Sequence, residues 1–502
     1  MVSIVNLSLP IYAKPLSEEH TDSNLHQSFP PALSIDSLLQ PYTDSLTNKT
    51  AAYVLDKGIE SMAARSWFTE HAKETIDIQY FIFSADNVGL IACDYLLQAA
   101  DRGVKIRVIV DDLLVEADAE ELLALDAHEN LSIKIYNPAI NVGKKLPKKI
   151  FNLIANFRKV NQRMHNKAFI VDNKFVITGG RNVADEYFDL DHEYNFRDRD
   201  VLLFGKATGQ VSRSFNEFWN DSLCRPVASL VKKKDTEIKP EKIYQWLRQY
   251  SSDSANFWPQ IKKQLAAFPG RFQEDMHSGK IPWLDSVSYI SDQPGKNPGD
   301  SGLGGGGITT TKLIELINQA QHTIHIQTPY LVTTELGQEL FHKAIKRGVK
   351  IKILTNSLAS TDNLEAFSGY KRGRKKLLKT GVELYEVRPD AAMKYKLMDN
   401  VVQTELKHTA IYALHAKSMV IDNTISVIGT FNLDPRSANL NTECISVIHS
   451  PIIAGELVQT IEEECKPENA WKYTSKFNPD KKAGFFKRFR TWYRRLVPKK
   501  IL

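Results

Sequence analysis

The segment MHNKAFIVDNKFVITGG, residues 164–180, returns near the other end of the chain as LHAKSMVIDNTISVIGT, residues 414–430. Each copy reads His-x-Lys, four further residues, Asp, and a Gly seven positions on, and His165 and His415 stand 250 positions apart. Successive side chains of an extended strand alternate faces, so His165 projects with Lys167 and His415 with Lys417. Each pair can grip one anion. The apolar runs 168–171 and 175–177, split by Asp172 and Asn173, read as two strands joined by a turn; 419–421 and 425–428 repeat them around Asp422 and Asn423. Asp172 and Asp422 lie an odd number of positions beyond their histidines. On a continuous strand that places them on the opposite face, as turn or lobe-bracing residues.

The duplication extends outward from this segment. Residues 58–71 read as a helix, 75–83 as a strand, 90–102 as a helix and 104–110 as a strand. Thr323-Ile-His-Ile-Gln327 answers Thr75-Ile-Asp-Ile-Gln79, and the Arg-Gly-Val-Lys-Ile that starts at Arg102 recurs at Arg347, at offsets of 248 and 245. The pattern predicts an α/β fold of two similar lobes, each a β-sheet flanked by helices, related by a pseudo-twofold axis that brings the two His-x-Lys strands face to face. The expected divisions are an extended lead-in over 1–50, a first lobe over 51–230, a helical insertion and Gly-rich linker over 231–308, a second lobe over 309–470, and a basic aromatic tail over 471–502. The run GLGGGG, residues 302–307, lacks a preceding strand and a following P-loop lysine, so it reads as a flexible connection rather than a phosphate cradle.

Whole-chain properties narrow the class. At 502 residues the chain is too long for one ordinary core. Its 65 Lys and Arg against 59 Asp and Glu give a net charge of only +6, so any preference for anions must lie in local patches, and nothing in the total calls for nucleic acid. Cys93, Cys224, Cys444 and Cys465 are scattered without metal spacing, which points to reduced thiols and no metal. No stretch approaches the ~20 apolar residues of a membrane span, and the first residues lack the basic region of a cleaved signal. The expected location is the cytoplasmic side of a membrane, peripherally bound.

Two basic segments bear on that location. Residues 146–160 place Ile150, Phe151, Ile154 and Phe157 at helical spacing beside Lys148, Lys149, Arg158 and Lys159: a helix packed on its own lobe, or a basic amphipathic helix on anionic lipid. Residues 481–502 interleave Phe485, Phe486, Phe489, Trp492 and Tyr493 with Lys and Arg, a composition that suits a membrane surface and, as the alternative, a nucleic-acid patch.

Two histidines and two lysines around one tetrahedral anion supply nucleophile, acid and charge neutralisation without a metal or other cofactor. Phosphodiester cleavage needs that set: one imidazole attacks phosphorus to give a phosphohistidine, the other protonates the departing oxygen, and an incoming hydroxyl reverses the process. Lys167 and Lys417 would hold the non-bridging oxygens, helped by the amides of Asn182 and Asn432. Each imidazole also needs a carboxylate behind it. Asp198 follows His165 by 33 residues and Glu443 follows His415 by 28, at matching places in the two lobes, so each acid is expected to orient the histidine of its own lobe, with Asp200 as the fallback.

At these residues the chain resembles the phospholipase D superfamily, marked by a duplicated H-x-K-x4-D motif. Gly179-Gly-Arg-Asn182, Thr355-Asn-Ser-Leu-Ala359, Phe431-Asn-Leu-Asp-Pro-Arg-Ser437 and Leu440-Asn-Thr-Glu443 further resemble bacterial cardiolipin synthases of the C type, from about residue 58 to 448. The resemblance implies a transphosphatidylase acting on phosphatidylglycerol, and on phosphatidylethanolamine as a further candidate, with His165 as nucleophile and His415 as acid. It also implies active-site roles for Asp172 and Asp422, against the strand-parity reading. The rivals are the same machinery with water as acceptor, a phospholipase D, and a nuclease built on the same motifs, which a long basic groove flanked by stacking aromatics would favour.

Overall fold

The computed structural model describes residues 35–115, 119–138, 161–231, 239–297, 304–397, 410–496 and 498. The candidate amphipathic helix at 146–160 lies outside the described residues.

The first half contributes strands β1 (Thr50–Leu55), β2 (Thr75–Phe83), β3 (Lys105–Val115), β4 (Leu131–Tyr136), β5 (Ala168–Val171), β6 (Phe175–Gly179), β7 (Tyr194–Arg197), β8 (Asp200–Gly205), β9 (Cys224–Pro226) and β10 (Trp283–Leu284). The second contributes β11 (Val287–Ser291), β12 (Thr323–Gln327), β13 (Lys350–Asn356), β14 (Glu383–Val387), β15 (Ile411–Leu414), β16 (Ser418–Ile421), β17 (Ile425–Gly429), β18 (Cys444–His449) and β19 (Ala470–Tyr473). One sheet runs β10-β1-β8-β6-β5-β2-β3-β4-β9 and the other β11-β18-β17-β16-β12-β13-β14-β19. Apart from the added β10 the two orders are the same, each with a parallel centre (β2-β3-β4, β12-β13-β14) flanked by antiparallel strands. The repeated Arg-Gly-Val is a helix stop in both lobes. Gly103 and Gly348 adopt φ of +94° and +95°, the left-handed conformation that ends a helix, and the next residue starts the path into β3 or β13.

Every residue of β5 and of β16 is buried, so each sheet is covered on both faces. Phe169, Val171, Phe175 and Ile177 pack with Trp67 and Phe68 in a core of the first lobe, and Met419, Ile421 and Val427 pack with Phe341 in a core of the second. Their neighbours Ala168, Ile170, Val176, Val420 and Ile428 share a third core that spans both lobes. Strand alternation thus divides the chain's apolar residues between lobe cores and a common interface. A small parallel sheet bridges the lobes, β15 against β7.

Two expectations change. Residues 35–48 are not extended: they form short helices, and Ile35, Leu38 and Leu39 bury against the first lobe because Ile-x-x-Leu-Leu lines one helical face. The inter-lobe linker is no loose tether where it is described. Asp292 and Lys296 are buried and paired at 2.6 Å, and Gly307 packs so tightly on Lys296 that a Cβ there would lie 2.4 Å from Lys296 Cε.

Candidate active site

β5 and β16 begin just after Lys167 and Lys417, and the residues preceding them are held by the opposite lobe. The His415 amide donates to Arg197 O (2.8 Å) at the end of β7, and the His165 amide donates to Thr442 O (3.0 Å). Arg197 and Thr442 are the residues just before Asp198 and Glu443. The carboxylates therefore reach across the interface: His165 Nδ1 lies 2.7 Å from Glu443 Oε2, and His415 Nδ1 lies 2.5 Å from Asp198 Oδ2. This corrects the expectation that each acid serves its own lobe. Spacing along the chain identified the acids, but the pairing is decided by the bridges β7–β15 and Met164–Thr442, which sequence distance does not reveal.

Nearby residues secure the acids. Thr430 donates to Glu443 Oε2 at 2.5 Å, whereas Gly180, its counterpart, leaves room: a Cβ there would lie 2.0 Å from Asp198 Oδ1. Glu443 is also locked through its backbone, for its N–H donates to Asp292 Oδ2 (3.1 Å) and its C=O accepts from Asp292 N–H (2.9 Å), with Lys296 neutralising that aspartate. Asp200, the fallback, instead accepts from Ser61 Oγ (2.7 Å) and Arg65 Nη2 (3.0 Å).

Lys167 and Lys417 meet in the same small volume as both imidazoles. Each ammonium depresses the basicity of both histidines, and each feels the carboxylates of both lobes. Lys417 Nζ donates to His415 O (2.5 Å) and lies 3.1 Å from His415 Nε2; Lys167 Nζ donates to His165 O (2.9 Å). Burial, with the ammonium groups adding to it, lowers His165 to about 4 and His415 to about 3, against the opposing pull of Glu443 and Asp198. Burial likewise lowers Lys167 to about 8 and Lys417 to about 7. Both imidazoles and both amines thus share one buried volume with the two carboxylates, and burial holds all four bases below their ordinary basicity.

The other sequence candidates divide. Asp172 and Asp422 stand away from this volume. Each opens a two-residue turn with φ of +50° and accepts a fan of backbone amides: Lys73, Glu74 and Thr75 for Asp172; Gln321, His322 and Thr323 for Asp422. They tie the hairpins β5–β6 and β16–β17 to the starts of β2 and β12. Asn182 is pinned by the Ile82 N–H (3.1 Å), and the Asn432 N–H goes to Ser437 Oγ (3.2 Å), while Asn432 Oδ1 is buried with no partner.

Sequence reading missed the walls. Phe81 stands edge-on to His165 with ring centres 5.2 Å apart; Tyr187, Phe196 and Tyr330 surround His415 at 5.1, 5.1 and 6.3 Å. Ordinary strand and loop aromatics give no local signal of this, since only the inter-lobe packing aims them inward. Among the described residues no group of three or more His, Cys, Asp or Glu side chains could hold a metal ion.

A duplicated His-Lys pair whose acids cross between two copies of one sheet is the arrangement against which known proteins can be compared. The cardiolipin synthase, PLD-like domain matches residues 69–219 and again 313–466, one match per lobe. The chain belongs to that family. It is 30% identical to Cardiolipin synthase C of Escherichia coli over 87% of this chain and 89% of that protein. It is 24% identical to Cardiolipin synthase 1 of Bacillus cereus over 85% of this chain and 69% of that one. The crystal structure of phosphatidylserine synthase from Haemophilus influenzae superposes with a TM-score of 0.58 over 92% of this chain and 99% of its own, at 15% identity, which establishes the shared fold. As a member of this family the chain is an enzyme of the phospholipase D type, a phosphatidyltransferase. No helix among the described residues is long and apolar enough to cross a membrane.

Proposed function

We propose that this enzyme moves a phosphatidyl group from one phospholipid to the head-group hydroxyl of phosphatidylglycerol, making cardiolipin through a phosphohistidine. The observation that carries the reading is the crossed pairing of His165 with Glu443 and His415 with Asp198. Each carboxylate holds Nδ1, which leaves Nε2 to face the shared volume. His165 Nε2 attacks phosphorus as the P–O bond to the departing head group breaks, and His415 Nε2 gives its proton to that oxygen. The acceptor hydroxyl then passes its proton to His415 and attacks phosphorus, and the P–N bond to His165 breaks. Atoms and charge balance over the two halves. An arriving phosphodiester supplies the negative charge that raises the imidazole basicity and so lets His415 hold its proton. Lys167, Lys417 and the side chains of Asn182 and Asn432 hold the non-bridging oxygens.

Closure favours transfer over hydrolysis. His165 and His415 are 7% and 5% exposed, and the rings of Phe81, Tyr187, Phe196 and Tyr330 pack around them, so bulk water has little access to the phosphohistidine. The named relatives point the same way. The protein would work peripherally at the cytoplasmic face of the inner membrane on phosphatidylglycerol, with phosphatidylethanolamine as a second donor. Incubation with labelled phosphatidylglycerol, with and without phosphatidylethanolamine, tests this by product analysis. Cardiolipin is the expected product; phosphatidic acid alone would make the enzyme a hydrolase, and cleaved DNA without lipid turnover would make it a nuclease.

A further inference from the structure

The helix Phe485–Tyr493 is mounted inside out. A surface helix ordinarily turns its apolar stripe to the protein and its charges to water. Here the residues that face the protein are Ala483, Lys487, Thr491 and Arg494, four or three positions apart, while Phe485, Phe486, Phe489, Trp492, Tyr493 and Leu496 are between 58% and 80% exposed. At 100° per residue Phe485, Phe489, Trp492 and Leu496 form the centre of the outer face, with Arg488 and Arg495 along one flank and Arg490 along the other. The inner contacts are polar and specific: Arg494 Nε to Glu365 Oε1 (2.5 Å), Arg372 Nη1 to Arg495 O (3.1 Å), and Lys487 Nζ to Ala359 O (3.0 Å) and Tyr194 Oη (3.3 Å). So many uncovered rings in twelve residues exceed what solvent alone accounts for.

The mounting point lies on the walls of the active site. Tyr194 opens β7, which ends beside Asp198. Ala359 leads to Asp362, whose carboxylate accepts from Tyr330 Oη (2.7 Å), and the Tyr330 ring faces His415.

We propose that the outer face of Phe485–Tyr493 is a docking surface for an anionic phospholipid bilayer and that it holds the His415 side of the active site at head-group level. Charge decides the occupant. A ring stripe flanked by arginines matches a hydrocarbon boundary beneath a layer of negative phosphates, where aromatic and arginine side chains reside together, and helices of this kind sink ~5–10 Å into that boundary. A second copy of this chain would meet arginine with arginine. The proposal deepens the phospholipid reading by naming how the substrate surface is engaged, and its binding test does not depend on turnover.

The full chain is sedimented with vesicles of phosphatidylcholine alone or with added phosphatidylglycerol. Two variants are compared, Phe486→Ser/Phe489→Ser/Trp492→Ser and Arg488→Gln/Arg490→Gln/Arg495→Gln, and turnover is measured in parallel on monomeric short-chain phosphatidylglycerol. We expect the unaltered chain to bind the anionic vesicles and to be released by salt, both variants to bind about a hundredfold more weakly, and turnover of the monomeric lipid to be unchanged. Vesicle binding by the variants equal to that of the unaltered chain overturns the proposal. So does an aromatic variant that only converts a dimer to a monomer, or an arginine variant that loses duplex DNA but keeps vesicles. Should no form turn over monomeric lipid while the difference in vesicle binding stands, the docking surface stands and the reaction assigned above does not.

Discussion

Glu443 Oε2 of the second lobe lies 2.7 Å from His165 Nδ1 of the first. The nucleophile assigned to one half is thus oriented by the other, and the roles of the two couples can be separated by chemistry.

Glu443→Gln keeps the shape but loses the charge that fixes the imidazole tautomer, and we expect it to lower kcat by about 10³–10⁴-fold, the scale on which histidine-orienting carboxylates act elsewhere. A phosphatidyl ester of nitrophenol distinguishes the halves, because such a leaving group departs without a proton. Asp198→Asn and His415→Ala should regain a burst of nitrophenol on that substrate, and Glu443→Gln and His165→Ala should not. A burst from His165→Ala reverses the assignment of nucleophile.

Gly180→Ala puts a Cβ where Asp198 Oδ1 now sits, 2.0 Å away. The acid of His415 must swing aside, and a misplacement of about 1 Å costs on the order of 10²-fold in rate. Thr430→Ala, at the equivalent place, removes one hydrogen bond to Glu443 without crowding it, and should be the milder change in kcat. Equal effects would mean that the space at Gly180 has no part in setting Asp198.

The pH profile of kcat/KM follows from the depressed basicities. His165, lowered to about 4 chiefly by burial, must be neutral to attack, so activity falls as pH drops through that value. Lys417, lowered to about 7 by burial, must be charged to hold phosphate, so the gradual decline that His415, at about 3 in the free enzyme, imposes on kcat/KM as pH rises steepens past about 7, with Lys167 following at about 8. Lys417→Arg should carry the alkaline limb upward toward the value set by Lys167. A limb that does not move would remove Lys417 from the binding of the anion.

Asp172→Ala strips three backbone amides of their acceptor and leaves a left-handed residue without the side chain that favours it. The expected cost is roughly 1–3 kcal/mol of stability, read as a lower melting temperature, with kcat on monomeric substrate nearly unchanged. Asp172→Asn, which tolerates the turn, should recover part of the loss. Loss of kcat without loss of stability would return Asp172 to the chemistry.

The sequence carried the fold further than it carried the site. A repeat of this length, with helix stops at Gly103 and Gly348 and hairpins turning at Asp172 and Asp422, is local information, and local conformation follows from it. Strand parity placed the two aspartates away from the histidines, where the turns hold them. The pairing of Asp198 with His415 and the rings of Phe81, Tyr187, Phe196 and Tyr330 depend on how one sheet lies against another, and no spacing within a lobe encodes that. Lys296 and Asp292 were hidden for a different reason. Their Pro/Gly-rich surroundings read as slack chain, but burial of one ion pair turns the segment into a brace for Glu443.

The exchange of acids between halves bears on what a lone lobe could do. Cut free, either half would keep its imidazole and ammonium yet find the matching carboxylate only in another copy of itself. The single polypeptide is in this respect a homodimer joined end to end, free to let the two sides of its active centre diverge, as Gly180 and Thr430 already have, but never to part with either one.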